Sequence, residues 1–490
     1  MKISEIIKKS RVNADLKLSD DIEITGLHYD SRKIKPGNIF FAIKGLKDDG
    51  NKFVSDAVNN GAVLIFTEEE VNTKSGVPVV KTGEIRKLMA EYSGIFYGDP
   101  SAQLKLIGIT GTNGKTTTSY LIRAFLNDAG YSTGLLGTID YQIGDQKLDS
   151  KLTTPDSVEV NMMLAEMIKS KTQFCVMEVS SIALMMQRVY GLKFDTAVFT
   201  NLTSEHLDFH KDMQNYFEAK KILFDTLPVT GKAVSNSDDQ YGLRILEDCK
   251  AEKFFYSSKN ESDLRSFNEK LSLSGLEFDV NRNGKTYTLK SDLSGRFNIY
   301  NILASVSTVL QYDIDMTMIQ NSLLKIQEVN GRFNRVKLPN GAIAVIDYSH
   351  TSDSLKNAIE SAREIVDAEK RFGKVITIFG CGGNKDRTKR AVMGELATGL
   401  SDRAIITSDN PRFENPMDII DEILTGIKDK KNYEIIENRE EAIKKGIEIS
   451  REGDIVLICG KGHETYQEIN GVRTHFDDKE IVGKYSDTAK

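Results

Sequence analysis

Short apolar runs, each followed by polar or glycine-rich residues, recur along this chain. The run at 104–109 is followed by the loop 110–114 and then by an apolar stripe of helical spacing over 121–126. A short apolar run followed by 3.6-residue periodicity is typical of a buried strand, a loop and an amphipathic helix. The pattern therefore predicts a strand–loop–helix unit near residue 110.

The same alternation continues on both sides of this unit. In the first hundred residues, strands are predicted at 22–27, 38–43 and 63–66, with a helix at 54–60. In the middle, strands are predicted at 174–179 and 196–200, short antiparallel strands within 256–292 around an Asn283-Gly284 turn, and a helix at 298–310. In the last third, strands are predicted at 342–347, 374–379, 403–407 and 454–459, separated by helical patterns such as 354–366 and 416–427. Strands that alternate with helices predict mostly parallel sheets, and therefore an α/β fold.

Breaker residues divide the chain into candidate domains. The stretch 97–101 reads Tyr-Gly-Asp-Pro-Ser and marks a first boundary. A second boundary is predicted near Gly331-Arg332-Phe333, and 490 residues agree with about three domains at roughly 150 residues each. We predict an α/β domain at 1–101, a central domain with a small antiparallel sheet at 102–334, and a doubly wound, Rossmann-like domain at 335–490.

The loop after the first of the central strands predicts a phosphate site. Residues 111–116 read Gly-Thr-Asn-Gly-Lys-Thr, a shortened form of the phosphate-binding loop, and a helix follows. Glycines let backbone N–H groups face phosphate oxygens, and the helix N-terminus favours anions. Lys115 is predicted to pair with the β- and γ-phosphates, and the Thr116 hydroxyl to ligate Mg²⁺. An ordinary turn is the alternative, but strand, spacing and helix agree on a nucleoside triphosphate.

Polar clusters follow the other strands as well. They occupy 178–181 and 201–208 in the central part, and 347–350, 380–383, 409–412 and 460–464 in the last third. Ligands collect at the carboxyl ends of strands in open α/β sheets. We therefore expect an active site between the second and third units, with the triphosphate and metal on one side and a polar zwitterionic substrate on the other.

Composition excludes several classes of function. The 65 basic and 71 acidic residues give a net charge of -6, and no dense basic stretch indicates a nucleic-acid partner. No apolar run approaches the roughly 20 residues that span a bilayer, and the charged start argues against a signal peptide. The four cysteines form no C-x-x-C pair, and three lie in or beside apolar runs, where buried thiols are expected. A cytoplasmic protein is expected.

The motifs, in their order, resemble the Mur ligase family of bacterial cell-wall synthesis over essentially the whole chain. The matching segments are 97–101, 111–117, 153–155, 177–181, 200–202, 206–210, 331–333, 347–351 and 460–464. The resemblance implies that ATP phosphorylates a carboxylate of a UDP-linked peptide, and that an amine then displaces phosphate to form an amide. It also implies small-molecule substrates, Mg²⁺ and a monomer.

The resemblance assigns roles to individual residues. Lys115, Glu178, His206 and Lys220 would be catalytic, and Thr116, Glu178, His206 and a carbamylated Lys220 (N6-carboxylysine) would serve the metals. Lys220 alone would be interpreted as a solvated helix lysine. Expected ATP contacts are Gly111, Thr112, Asn113, Gly114, Lys115, Thr116, Thr117, Asn298, Asn301, Arg332 and Asp347. Expected contacts to the UDP-N-acetylmuramoyl-dipeptide are Ser31, Thr153, Thr154, Ser180 and Arg188.

The added amino acid is predicted from residues 409–412. Asp409, Asn410, Pro411 and Arg412 resemble the form that binds meso-diaminopimelate, because a guanidinium grips the distal carboxylate that lysine lacks. Lanthionine, with the same two ends, would also satisfy Arg412. Gly460 and Glu464 would hold the distal amino end, and Lys385 would also contact the amino acid. The Asp-Asn-Pro segment is also expected to form a turn that caps the next helix, but that turn does not explain Arg412.

Four positions depart from the family pattern. Lys385 replaces an arginine that contacts the amino acid, and lysine lacks the two-pronged guanidinium. Arg387 or Arg390 is a candidate replacement. Ile182, Met186 and Ser352 replace the usual histidine, glutamine and proline, and none belongs to the phosphate or metal set.

The residues argue against three functions other than adding diaminopimelate. A lysine-adding relative lacks the counterpart of Arg412, and folylpolyglutamate synthetase lacks the first unit. A non-catalytic nucleotide-binding switch would not need Glu178, His206 and Lys220.

Overall fold

A computed structural model describes residues 1–12, 21–45, 48–71, 76–368, 373–428 and 431–488 of the chain. Over these residues the backbone forms three mainly parallel sheets in sequence, each covered by helices, together with a short hairpin near the end. This arrangement confirms the predicted α/β fold class.

The first sheet belongs to the N-terminal part of the chain. Its elements are α1 (Ile3–Lys9), β1 (Gly26–His28), β2 (Asn38–Ala42), α2 (Val54–Asn59), β3 (Ala62–Thr67), β4 (Val79–Lys81) and α3 (Ile85–Phe96). The described strands pair in parallel in the order β1-β2-β3-β4. Only the end of the predicted strand 22–27 is extended into the sheet, whereas β2 and β3 match their apolar runs closely.

The central part contributes the largest sheet. Its elements are β5 (Lys105–Thr110), α4 (Lys115–Asp128), β6 (Thr133–Leu136), β7 (Asp140–Ile143), β8 (Gln146–Asp149), α5 (Ser157–Lys169), β9 (Phe174–Glu178), α6 (Ser181–Met185), β10 (Thr196–Phe199), α7 (Leu207–His210), α8 (Met213–Asp225), β11 (Lys232–Asn236), β12 (Glu252–Ser257), β13 (Leu264–Ser272), β14 (Gly275–Arg282), β15 (Lys285–Ser291), α9 (Phe297–Val309) and α10 (Met316–Leu323). The described strands follow the order β15-β14-β13-β12-β11-β10-β5-β9-β6-β7-β8. β5 lies between β10 and β9, and all three run parallel, so their carboxyl ends meet at one edge.

The predicted antiparallel strands extend this sheet at one side. β13 pairs in parallel with β12 at its start, and then β13, β14 and β15 pair antiparallel. The turn between β14 and β15 has positive φ at both Asn283 (53°) and Gly284 (74°), as a two-residue hairpin of type I′ requires. The Asn-Gly turn is therefore confirmed.

The third sheet is doubly wound, as the alternating pattern predicts. Its elements are β16 (Asn334–Lys337), β17 (Ile343–Asp347), α11 (Ser352–Ala368), β18 (Val375–Phe379), α12 (Lys389–Leu400), β19 (Arg403–Ile406), α13 (Pro416–Leu424), β20 (Tyr433–Ile435), α14 (Arg439–Ile449) and β21 (Ile455–Cys459), followed by the hairpin β22 (Tyr466–Ile469) and β23 (Val472–His475) and by α15 (Asp478–Thr488). The described strands are ordered β16-β17-β21-β18-β19-β20, with only β16 antiparallel.

Polar contacts join the three sheets. The Tyr29 hydroxyl donates to Glu159 on α5 at 3.0 Å, which ties the first sheet to the central one. Asn113 in the phosphate loop donates to Asp353 on α11 at 2.8 Å, so the third sheet reaches the central one at that loop. The carboxyl ends of the central strands therefore face the third sheet.

Two composition-based expectations also have structural outcomes. All four cysteines are buried free thiols, including Cys249, which the apolar runs did not cover. Within the described ranges, no helix is both long and apolar enough to cross a membrane.

Candidate active site

One cavity of about 1220 Å³ lies between the central and third sheets. Its lining includes predicted residues from both sides: Thr112, Asn113, Gly114, Lys115, Thr116, Thr117, Thr153, Glu178, Ser180, His206, Asn301, Arg332, Asp347, Lys385, Asp409, Asn410, Arg412, Gly460 and Glu464. The remaining predicted residues lie outside that lining: Ser31, Gly111, Thr154, Arg188, Lys220, Asn298 and Pro411. Lys115 and Arg412, which come from different sheets, thus share one space.

The phosphate loop connects β5 to α4 through two glycines in unusual conformations. Gly111 has φ of 152°, and a Cβ there would lie 1.9 Å from Thr200 Oγ1. Gly114 has φ of 86°, and a Cβ there would lie 2.3 Å from Asn301 Oδ1. A side chain at either position would collide with the wall of the loop, so both positions require glycine.

Two lysines donate to carbonyl oxygens of the same loop. Lys115 Nζ donates to the carbonyl oxygens of Gly111 (2.8 Å) and Thr112 (2.9 Å), and Lys220 Nζ donates to Gly111 at 2.9 Å. Lys220 is buried, with its Nζ 4.4 Å from the centre of the Tyr216 ring. Burial, reinforced by the charge of Lys115, lowers the pKa of Lys220 well below its usual value. Lys220 is therefore not the solvated lysine that its sequence context alone indicates.

Glu178 ends β9 as a buried carboxylate with three donors. Thr138 donates through its N–H to Oε1 (2.8 Å) and through its hydroxyl to Oε2 (3.0 Å). The Thr116 hydroxyl donates to Oε2 at 3.0 Å, and Arg332 Nη2 donates in turn to Thr116 Oγ1 at 3.0 Å. Glu178 and Thr116 are thus adjacent at the start of α4.

Glu205 and two histidines form a second polar group on the cavity wall. His206 Nε2 lies 3.7 Å from Glu205 Oε1, and His350 Nε2, from the third sheet, lies 3.4 Å from the same oxygen. Burial lowers the pKa of His206, although Glu205 opposes the effect. Despite burial, hydrogen bonding from His350 and the nearby positive charges hold the pKa of Glu205 below its usual value.

Several residues that are predicted to contact the nucleotide form hydrogen bonds with other groups of the protein. Asn301 Nδ2 donates to Asn298 Oδ1 (2.8 Å), and Asn298 Nδ2 donates to the Ser294 carbonyl oxygen (2.7 Å). Asp347 accepts the N–H groups of Phe333 (2.8 Å) and Ser349 (2.9 Å). Asn298 is buried and does not line the cavity, but it accepts the hydrogen bond from Asn301, which does.

The predicted acceptor-substrate residues fall into two groups. Thr154 Oγ1 donates to the Glu178 carbonyl oxygen (2.9 Å) and accepts the Ser180 N–H (3.0 Å). Arg188 Nη1 donates to the Thr154 carbonyl oxygen at 3.1 Å. These contacts set the shape of the wall that Thr153 and Ser180 line. Ser31 lies apart, in a short 3-10 turn of the first sheet.

Arg412 forms the far end of the cavity. Its φ is 53°, and its Nη1 donates to the Gly383 carbonyl oxygen at 2.8 Å. Among the residues that the structure describes, no carboxylate lies within 4.0 Å of the Arg412 guanidinium nitrogens. The helix-capping interpretation of the preceding residues is wrong, because Asn415 caps α13 by accepting the Met417 N–H at 2.9 Å.

The neighbouring acidic residues lie at the ends of β19 and β21. Asn410 Nδ2 donates to Glu464 Oε2 at 2.8 Å, and a Cβ at Gly460 would lie 2.4 Å from Asp409 Oδ2. Burial, together with the charge of Asp409, raises the pKa of Glu464. Two acidic groups and one guanidinium thus face the same end of the cavity, an arrangement that suits a ligand with both ammonium and carboxylate groups.

The candidate replacements for the missing family arginine are already paired. Arg390 is buried and bonds Glu414 and Glu422, each at 2.9 Å, and Arg387 Nε donates to Glu422 at 3.1 Å. Neither lines the cavity, so the expectation that one of them replaces the guanidinium is not supported. Lys385 does line it.

The donor set fits Mg²⁺ at one position. A hydroxyl and a carboxylate, those of Thr116 and Glu178, are hard oxygen donors of the kind that Mg²⁺ prefers, and they are already 3.0 Å apart. Within the described residues, no three His, Cys, Asp or Glu side chains are grouped to hold a metal ion.

Sequence reasoning missed several residues of this site. Thr138, which supports Glu178, follows the short strand β6, and the apolar run there is too brief to predict. Glu205 lies inside the polar run 201–208, and Asp353 lies between the run 347–350 and the predicted helix 354–366, but nothing in the local sequence distinguishes either from a surface carboxylate.

Fold and site together define a nucleotide-binding enzyme in which a phosphate loop and a second polar pocket share one cleft. Three family models match the chain: the Mur ligase family catalytic domain at 23–95, the Mur ligase middle domain at 109–309, and the Mur ligase glutamate ligase domain at 331–462. The chain belongs to the Mur ligase family, and the predicted resemblance is confirmed.

Individual relatives agree over the full length. UDP-N-acetylmuramoyl-L-alanyl-D-glutamate--2,6-diaminopimelate ligase 1 of Clostridium acetobutylicum is 42% identical over 490 residues, covering 99% of each chain. A solved structure of UDP-N-acetylmuramoyl-L-alanyl-D-glutamate--2,6-diaminopimelate ligase is 30% identical, with a TM-score of 0.69 over 100% of this chain and 99% of the other. MurF ligase from Thermotoga maritima in complex with ADP has the same fold, with a TM-score of 0.64, 18% identity, and 95% and 97% coverage.

Proposed function

We propose that this chain is an ATP-dependent amide ligase that adds meso-diaminopimelate to UDP-N-acetylmuramoyl-L-alanyl-D-glutamate. Full-length relatives of about 40% identity carry that name. The observation that carries the proposal is the shared cavity, which is lined by the phosphate loop and by the Arg412 guanidinium. Among the described residues, no carboxylate forms an ion pair with this guanidinium.

The proposed reaction has two steps. A glutamate carboxylate of the acceptor attacks the γ-phosphorus of ATP, so that a carbon-bound oxygen gains the phosphoryl group and ADP leaves. The amine of the incoming amino acid then attacks the acyl carbon, phosphate leaves, and a proton is lost from nitrogen. Lys115 and Arg332 offset the negative charge that gathers when the carboxylate meets the triphosphate.

We propose that Thr116 and Glu178 hold one Mg²⁺ and that His206 serves a second position. Bound Mg²⁺ supplies charge neutralisation at the phosphate oxygens. Lys220 would complete this set as a carbamate. Support comes from its burial and lowered pKa, because a neutral amine adds CO₂ whereas an ammonium does not.

We propose that Arg412 selects the amino acid by binding its distal carboxylate, with Glu464 and Asp409 receiving the distal ammonium. Lys385, beside Gly382 in the same wall, adds positive charge without the two-pronged geometry. Lanthionine presents the same two ends and is the closest alternative substrate.

We also propose domain boundaries at 101/102 and 334/335, a monomer, and a cytoplasmic site of action. The first and second sheets fall within single proposed domains, which supports the first boundary, and the third sheet begins at Asn334, one residue before the second proposed boundary. Light scattering coupled to size exclusion tests the monomer, and a dimer mass would contradict it.

Phosphate release tests the proposal directly. We expect release only when ATP, UDP-N-acetylmuramoyl-L-alanyl-D-glutamate and the amino acid are all present, with diaminopimelate and lanthionine used far better than lysine. ATP hydrolysis without either partner would instead indicate a nucleotide-binding switch. Equal or better use of lysine would contradict the role of Arg412.

Arg412→Ala should lower kcat/KM with diaminopimelate by roughly tenfold to a hundredfold, because the variant loses a pair of charge-assisted hydrogen bonds to the substrate. Activity with lysine, which lacks the distal carboxylate, should change little. Arg473→Ala is the matched control, because Arg473 lies nearby on β23 but outside the cavity lining. Equal losses with both amino acids would show that Arg412 holds the loop rather than the substrate.

A further inference from the structure

Lys461 is a buried lysine beside the amino-acid end of the cavity, and the proposed reaction does not use it. Its side chain has no exposed surface. Its Nζ lies 3.1 Å from Asn410 Oδ1 and 3.5 Å from Glu464 Oε2, and it donates to the Tyr466 carbonyl oxygen. An ammonium removed from water is costly unless several acceptors surround it, so this arrangement points to a specific role.

The backbone around Lys461 is tightly constrained. Gly460 has φ of 119°, and Gly462 has φ of 54° and packs so closely that a Cβ would lie 2.7 Å from the Gly331 carbonyl oxygen. The Glu464 N–H donates to the Lys461 carbonyl oxygen at 3.0 Å, which closes the turn. Lys461 is therefore held on a rigid turn that joins the end of β21 to β22.

Lys461 helps to fix which way the Asn410 amide points. Asn410 Oδ1 accepts from Lys461 Nζ and from the Glu468 N–H at 3.0 Å. With both donors on the oxygen, the Nδ2 group must face the other way, where it donates to Glu464 Oε2 at 2.8 Å. Glu464 Oε2 is thus held from two sides, by Asn410 and by Lys461.

The other oxygen of Glu464 is left for a ligand. Glu464 lines the cavity, and its Oε1 has no hydrogen-bond partner in the described part of the chain. Burial and Asp409 raise the pKa of Glu464, whereas Lys461, Asn410 and His350 oppose the rise. Tyr348 and Tyr466 also face this carboxyl group. Of the fully buried groups here, Lys461 carries the compensating positive charge.

We infer that Lys461 is a positioning residue that keeps Glu464 ionised and aims its free oxygen at the ammonium of the incoming diamino acid. The inference rests on the proposed function, because it assigns that ammonium to Glu464. Lys461 acts through Asn410 and Glu464 and need not touch the substrate.

Lys461→Met tests the inference, because it removes the charge and keeps most of the apolar stem. We expect the KM for diaminopimelate to rise roughly tenfold to a hundredfold, as for a lost charge-assisted interaction, with the KM values for ATP and the UDP-dipeptide within about twofold of wild type. The acid limb of the pH profile of kcat/KM for diaminopimelate should move to higher pH, because Glu464 loses the positive charge that lowers its pKa. Lys461→Arg should restore much of both, and Lys479→Met, on the exposed side of α15, is the matched control.

A double-mutant cycle with Glu464→Gln separates positioning from general support. If Lys461 acts through Glu464, then Lys461→Met adds little to the defect of Glu464→Gln, and the acid limb no longer moves. Additive losses, or an unchanged KM and acid limb in Lys461→Met, would overturn the inference. If the Met variant does not fold, Lys461→Gln removes the same charge, and the acid limb of kcat/KM should again move to higher pH. Wild-type enzyme that releases no phosphate with diaminopimelate would instead refute the proposed function.

Discussion

At the scale of single residues, the site depends on side chains that orient other side chains. Glu178 is the clearest case, since Thr138 donates hydrogen bonds to both of its carboxylate oxygens. The preceding residue, Gly137, also lies close to this carboxylate: a Cβ at Gly137 would lie 2.6 Å from Glu178 Oε1. The Thr138 hydroxyl oxygen also lies 3.1 Å from Thr153 Oγ1, within hydrogen-bond distance. One threonine thus connects the proposed metal ligand to the proposed acceptor wall.

Thr138→Val should weaken the apparent affinity for Mg²⁺ by roughly tenfold to a hundredfold, because groups that orient a metal ligand contribute that much. The free energy of unfolding without metal should fall by about 1–3 kcal/mol, since a buried carboxylate loses a donor. The measurements are the Mg²⁺ dependence of phosphate release and urea unfolding in EDTA. Thr138→Ser retains the hydroxyl and should recover both; an unchanged Mg²⁺ midpoint in the valine variant would contradict the role.

The sequence identifies residues of this kind poorly. Lys115 and Thr116 stand in a motif whose spacing indicates their chemistry, and Arg412 is indicated by a family pattern. Thr138 and Lys461 act through contacts 40 and 51 residues away along the chain. Nothing local distinguishes such a threonine from a turn residue, or such a lysine from a surface charge.

At the scale of elements, helix α4 is bounded by two glycines that serve different purposes. Gly114 (φ 86°) precedes it and faces Asn301. Gly130 (φ 89°) follows it, and no described atom lies within 4 Å of the position that a Cβ would occupy there. The two glycines have nearly the same backbone conformation, but only Gly114 has a side chain close by. Substituting each in turn therefore distinguishes the cost of backbone strain from the cost of a steric clash.

Gly130→Ala should cost about 1 kcal/mol of unfolding free energy, the strain of a left-handed alanine. Gly114→Ala should cost more, and it should also abolish ATP binding, because the methyl group collides with Asn301 at the phosphate loop. Chemical unfolding and titration with a non-hydrolysable ATP analogue measure the two effects. Equal stabilities together with intact nucleotide binding in both variants would show that the loop can rearrange.

Elements were predictable where the apolar runs are long and uninterrupted. β5, β9, β10, β17, β18, β19 and β21 match their runs within one or two residues, because strands buried on both faces are continuously apolar. The short parallel strand β20 is not fully buried and was not predicted. β6 reads Thr-Gly-Leu-Leu, and β8 is exposed throughout, so neither carries that signal. The order of strands across a sheet depends on packing between distant segments, which local periodicity does not contain.

At the scale of the whole molecule, the cleft depends on contacts between the second and third sheets. Besides the Asn113–Asp353 hydrogen bond, Arg296 Nε pairs with Glu364 on α11 at 3.0 Å. Both side chains of that pair are about two-fifths exposed, so its contribution is modest. The sequence predicted a cleft here from strand-end clusters, but not which groups hold the two sides together.

Glu364→Lys places like charges opposite each other across the cleft. We expect a larger radius of gyration by solution X-ray scattering and a loss of roughly twofold to fivefold in kcat/KM, consistent with an exposed pair. Glu360→Lys is the matched control, because Glu360 lies one turn earlier on α11 and pairs within the helix, with Lys356 at 3.8 Å. The same expansion in both variants would show that net charge, rather than the Arg296 contact, sets the separation.

The size of the cavity has a consequence for inhibition. At about 1220 Å³ it exceeds the roughly 300–1,000 Å³ of an ordinary single-ligand pocket, and its opposite ends attract different chemical groups. One compound with a phosphonate head for the glycine loop and a diacid tail for the arginine would engage both ends. Once the head is bound, the linker would hold the tail at a high effective concentration, so two weak fragments would combine into a tight blocker.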